Sequence, residues 1–157
     1  MATRTKTTRV AVNSERVDAE LRPVLIDLID LGLQGKQLHW NVRGPLFMSI
    51  HRQLDDIVTD SRNWSDLVGE RMTALGIAAP GQAKDVARET TLDDLRPGSI
   101  SDADCVGAIT ERVGSVAATV RTAAENLGEI DIGSQDVLLE ILTGLEKHLW
   151  MLRVQRQ

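Results

Sequence analysis

The stretch from Lys36 to Gly76, KQLHWNVRGPLFMSIHRQLDDIVTDSRNWSDLVGERMTALG, constrains this 157-residue chain more than any other. Gly44-Pro45 interrupts the helical pattern, and Pro suits a first helical position, so a helix is expected from about Pro45. Gly76, followed by Ile-Ala-Ala-Pro-Gly, supplies its stop. On that helix His51 and Asp55 share a face, as do Asp66 and Glu70. At about 100° per residue the two pairs fall in one stripe roughly 100° wide. Yet at about 1.5 Å per residue His51 and Glu70 stand roughly 30 Å apart along the axis. One ion cannot touch both pairs on one chain.

Two arrangements satisfy this spacing: two unrelated sites, or one composite site. If two copies of the helix pack antiparallel about a twofold axis, His51 and Asp55 of one face Asp66 and Glu70 of the other, giving two equivalent sites. Phe47, Ile50, Leu54, Ile57, Val58, Val68, Met72 and Leu75 define the expected core stripe. The acidic stripe is centred roughly 130° from it by the same rotation rule, pointing away from the bundle interior. Thr59, Gly69 and Thr73 on that side are small enough for close helix approach. Carboxylate pairs on an outward face are most often solvated charges. Here His39 joins them from a preceding helix, beside a turn that can fold it back toward His51. Two imidazoles with three carboxylates suit a first-row divalent metal, imidazole favouring iron and zinc.

The string KQLHWNVRGPLFMSIH, with an Asp four residues on and then Asp-x-x-x-Glu-Arg, resembles the signature of the Dps family, the ferritin-like DNA-binding proteins of starved cells. The resemblance covers nearly the whole chain and is strongest from 34 to 76. It implies an all-α, ferritin-like four-helix bundle and a ferroxidase centre shared between subunits. His39, His51 and Asp55 would come from one chain, Asp66 and Glu70 from its twofold mate, and Trp40 either fills the subunit contact or, as the resemblance implies, lies close by as an indole that intercepts oxidising equivalents. It further implies Fe2+ as the ion oxidised, zinc as a substitute, peroxide as the usual oxidant, and a hollow twelve-subunit shell that stores ferric mineral and protects DNA. The alternative is a DNA-compacting scaffold with little iron-oxidising activity. None of the three histidines follows a Glu in the Glu-x-x-His spacing of intrasubunit di-iron bundles, which argues against that class. Gly69 stands where the family often has Ala and removes no ligand.

The rest of the chain fits one domain, 13–157, behind a flexible tail, 1–12. Arg4, Lys6 and Arg9 in that tail, with no acidic neighbour, read either as a frayed terminus or as a non-specific phosphate-contacting arm multiplied by oligomerisation. The net charge of −5 excludes a surface that is basic throughout. A single cysteine, Cys105, excludes an internal disulfide framework and reads as a small buried residue. With no apolar run of membrane-spanning length and no signal-peptide core, the expectation is a cytoplasmic protein.

Val17, Leu21, Val24, Leu25, Leu28, Leu31 and Leu38 predict a first helix over about 14–41, with Pro23 either housed in its first turns or marking a later start. Ile26, Ile29, Leu33 and Trp40 form a second apolar stripe on it, as for a helix covered on two sides. A long crossover follows the motif helix, about 77–100, with room for a short helix at 91–95. Ser101 reads as a cap for a third helix ending near Leu127, and a fourth spans about 134–154. His148 on it reads as a hydrogen-bonded structural histidine, and Trp64 as core or interface packing. Asp131, Asp136 and Glu140 flank the last turn. They are either solvated charges at a helix start or, as the family resemblance implies, acidic rings at threefold pores that draw in Fe2+.

Overall fold

The computed structural model describes residues 3–155, with side chains from Asn13 onward. Four long helices form the bundle: α1 (Thr3–Asn41), α2 (Phe47–Ala74), α4 (Asp102–Leu127) and α5 (Ile132–Val154). A short helix, α3 (Ala83–Glu89), lies in the crossover. Two-residue strands β1 (Val42–Arg43) and β2 (Ile100–Ser101) pair in parallel, Val42 against Ile100. That bridge sets the topology. It brings the start of α4 beside the end of α1, so the crossover returns the chain along the whole bundle and α4 runs parallel to α2.

Apolar residues at helical spacing explain the elements. Leu21, Val24, Leu28 and Leu31 of α1 meet Ile50, Leu54, Ile57, Val68 and Met72 of α2, Ile109, Val113, Val116 and Val120 of α4, and Leu138, Ile141 and Leu145 of α5 in one core. Each such side chain stabilises the fold by about 2 kcal/mol when fully buried. Phe47 departs from the expected core stripe. It is 37% exposed and lies against the His51 ring, centroids 4.8 Å apart, because the first turn of α2 projects past the end of the core.

Polar contacts fix the register of the helices. Gln53–Gln155 (2.7 Å), Asp60–His148 (2.8 Å) and Arg71–Ser134 (3.0 Å) run α2 antiparallel to α5. Glu20–Asn126, Asp27–Thr119 and Gln34–Arg112 do the same for α1 and α4. Trp64 is buried against α5 at Gly144, where a β-carbon would stand 2.3 Å from its ring. His148 is the structural histidine expected, buried edge-on to Trp64.

Several boundaries differ from those expected. The backbone of α1 is helical from Thr3 rather than from about 14, since no Gly or Pro precedes Pro23 to stop it. The side chains of Arg4, Lys6 and Arg9 lie outside the described residues. Pro45 precedes α2 instead of opening it. Gly44, at φ +139°, brings the turn so close to Asp102 that a β-carbon would collide with that carboxylate, which accepts the Leu46 N–H at 2.9 Å. Gly76 (φ +76°) ends α2 as expected: its N–H bonds the Thr73 carbonyl and that of Ile77 the Met72 carbonyl, a Schellman closure. Ser101 caps α4 by accepting the Asp104 N–H.

The short helix is at 83–89, not 91–95. Thr90 and Thr91 are drawn onto α1 instead. Asp27, fully buried, accepts the Thr91 N–H (2.8 Å) and both Thr91 and Thr119 hydroxyls, while Asp30 accepts the Thr90 hydroxyl (2.7 Å). Arg112 bonds the carbonyls of Asp93 and Asp94 further along. These contacts hold the crossover against the bundle. Asp27→Ala, which strands the Thr91 N–H and hydroxyl while Thr119 keeps its bond to the Ser115 carbonyl, is expected to cost about 3 kcal/mol in urea unfolding.

Cys105 is completely buried, and burial, with Asp102 adding to it, pushes its thiol up to about 11. At neutral pH the reactive thiolate is nearly absent. Iodoacetamide is expected to leave Cys105 unmodified in the native protein and to label it after denaturation, as intact mass would report.

Candidate metal centre

His39 lies in the last turn of α1 and His51 in the second turn of α2, on either side of the Val42–Leu46 connection. Each Nδ1 stands 3.0 Å from the other residue's backbone carbonyl oxygen. A carbonyl can only accept, so both Nδ1 atoms carry hydrogen and, in the neutral rings, both lone pairs reside on Nε2. The rings stack at 3.6 Å with planes 22° apart. A backbone acceptor behind each imidazole fixes tautomer and orientation, which is how metal-binding histidines are usually held.

Asp55, one turn after His51, joins them: its Oδ1 lies 3.3 Å from His39 Nδ1, and one nitrogen of each ring and a carboxylate oxygen lie within 4.8 Å of one another. His39 is buried, and the two other groups are partly exposed. Lys36, one turn before His39, places its Nζ 2.5 Å from Asp55 Oδ1. The Lys36 hydrogen bond, opposed by partial burial and reinforced by His39 and His51, holds the Asp55 carboxyl below the usual carboxylate range. Asp55 is thereby held as the carboxylate that a cation needs. Lys36 had no place among the residues expected from sequence, although its position three before His39 puts it on the same helix face.

Asp66 and Glu70 are exposed and stand outside this cluster, further along α2. Asp66 borders a groove lined by Leu25, Ile29, Arg62, Gly69 and Pro80. Trp40 is 69% exposed beside His39, and Leu33 is 57% exposed on the same helix, whereas Ile26 of the second stripe is buried. Asp131 caps α5 by accepting from Ser134 and pairs with Arg71 at 2.6 Å. Burial raises its carboxyl, but the Arg71 and Ser134 hydrogen bonds outweigh that and hold it low. Asp136 and Glu140, one and two turns on, are exposed.

A four-helix bundle with a crossover and a two-histidine, one-carboxylate cluster at one end defines a ferritin-like, metal-handling class. The family model described as a ferritin-like domain matches residues 19–157. The DNA protection during starvation protein of Agrobacterium fabrum is 34% identical over 87% of this chain and 85% of its own length. That of Mycolicibacterium smegmatis is 32% identical over 79% and 68%. Among solved structures, Dps from Microbacterium arborescens in the high iron form superposes with a TM-score of 0.87 at 31% identity, covering 91% of this chain and 93% of that one. DpsA14 from Streptomyces coelicolor does so at 0.87 and 34%, covering 91% and 85%. The chain belongs to the Dps family of ferritin-like proteins. No helix among the described residues is long and apolar enough to cross a membrane.

A cation binding Asp55 competes with the Lys36 ammonium, which stands 2.5 Å from Oδ1. Lys36→Gln is therefore expected to raise the affinity for Co2+ or Zn2+ by about two- to fivefold in calorimetric titration, the modest scale of a half-exposed ion pair.

Proposed function

We propose that this protein is a ferroxidase and iron-storing shell, its substrate Fe2+ held between two subunits. The observation that carries this reading is the pair of imidazoles with their Nδ1 atoms committed to backbone carbonyls and a carboxylate beside them. Three donors leave coordination positions open, and on the same helix Asp66 and Glu70 present two exposed carboxylates with no place in their own chain's cluster. A second copy packed antiparallel along α2 brings one set to the other. The exposed Leu33 and Trp40 on α1 give such a contact apolar surface to bury.

Two neutral imidazoles bind the divalent substrate, and the three carboxylates stabilise its trivalent product. Peroxide takes one electron from each of two Fe2+ ions, its O–O bond breaks, and both oxygens leave as oxide or water, so no hydroxyl radical is released. Protons freed as the ferric product hydrolyses pass to solvent. Asp136 and Glu140, with Asp131 behind them, are the carboxylates we propose at the cation entrance, where symmetry would multiply their field. The relatives' name, DNA protection during starvation protein, fits a protein that removes both peroxide and Fe2+. We further propose a closed homo-oligomer, a dodecamer in keeping with the family resemblance.

The joint variant Asp66→Ala, Glu70→Ala is expected to preserve assembly in native mass spectrometry and to slow stopped-flow Fe2+ oxidation at least about tenfold, the scale of lost metal-site partners. Unchanged oxidation in an intact shell would refute the shared site.

A further inference from the structure

Arg71 follows the proposed ligand Glu70 directly, yet its side chain leaves α2 in another direction. Its Nη2 donates to Asp131 Oδ2 at 2.6 Å and its Nε to Ser134 Oγ at 3.0 Å. The Ser134 hydroxyl and N–H both donate in turn to Asp131 Oδ2, at 2.5 and 3.2 Å, closing a network across the α4–α5 turn. Gly133 makes room for it, since a β-carbon there would stand 2.8 Å from Arg71 Nη2. The same Asp131 caps α5, so the guanidinium is fastened to the start of a helix rather than to a loose side chain.

Glu70 needs such an anchor. It sits in the last two turns of α2, where the closure at Leu75–Ile77 satisfies the terminal carbonyls but leaves the rotation of those turns to side-chain contacts. Buried Val68 and Met72 hold the helix axis against the core. Apolar contacts of that kind tolerate small rotations, whereas a two-bond guanidinium fork does not. Glu70 itself is exposed, so nothing within its own chain buries it in place.

We infer that Arg71 is a positioning residue, setting the rotation of the final turns of α2 so that Glu70 meets the metal half-site of the neighbouring subunit. The inference rests on the proposed shared site, and a double-mutant cycle separates the two. Full-length protein is titrated with Co2+ alone, reading affinity by calorimetry and coordination by the visible absorption of the bound ion, with native mass spectrometry reporting assembly. Glu70→Gln is expected to weaken Co2+ binding and change its spectrum; if it does neither, the shared site itself fails. Given that effect, Arg71→Met is expected to weaken binding about tenfold, and Arg71→Lys to recover only part, because an ammonium cannot reproduce the fork. In the Glu70→Gln background Arg71→Met is expected to have almost no further effect. An equal loss in both backgrounds, or no loss in the native one, overturns the positioning role. Should Arg71→Met not assemble, Asp131→Asn, which weakens the same fork from the α5 side, is read by the same cycle with the same two outcomes deciding.

Discussion

Two backbone carbonyls, those of His39 and His51, each accept the Nδ1–H of the other residue, and much of the molecule's chemistry follows from that exchange. The last four carbonyls of a helix have no partner within it. His39 lies among those residues in α1, so the His51 ring completes the end of that helix while its own lone pair turns elsewhere. The converse bond, to a carbonyl inside α2, adds a second acceptance to an oxygen with a free lone pair. A tight α1–α2 turn, which Gly44 lets close onto Asp102, is the condition for both. Structural capping and ligand orientation are thus one interaction.

The bundle below that turn divides its labour between apolar and polar contacts. Leucines, isoleucines and valines supply the stabilisation, but a uniform apolar core tolerates sliding. Along the α2–α5 seam the Asp60–His148 and Arg71–Ser134 contacts each leave a buried or half-buried polar group stranded if the helices shift. Asp27 and Asp30 do the same for the crossover. Such contacts favour one alignment over its neighbours, which matters when donors on one helix have to meet donors on another.

What could be read from the sequence was what is local to it. Helical periodicity located the four long helices, Gly76 and Ser101 marked their ends, and the four-residue spacing of His51 and Asp55 placed two donors together. The failures share a cause. Thr91 leaves helical geometry because its partner, Asp27, is 64 residues away, and no local signal in Thr-Leu-Asp-Asp-Leu announces that pairing. Phe47 has core spacing, but the core ends before reaching it. Lys36 is a routine surface lysine until α1 and α2 fold face to face and bring Asp55 against it. Arg71 stood in plain view beside Glu70, and only the α4–α5 turn gives it a partner.

On the proposed reading, charge explains why such a site would be split between chains. His39, His51 and Asp55 carry one negative charge, and Lys36 offsets it, so a lone subunit offers a nearly neutral donor set that holds a divalent ion weakly. Two more carboxylates from a neighbour turn the site clearly negative, and the gain is greater for a trivalent product than for the divalent substrate. Oxidation is then favoured only where subunits have met. Placing Asp66 and Glu70 on the helix that carries His51, but far along it, makes that requirement geometric: no flexing of one α-helix can bring the two ends together. On that reading iron chemistry would be a property of the assembly, confined to where its insoluble product can be enclosed.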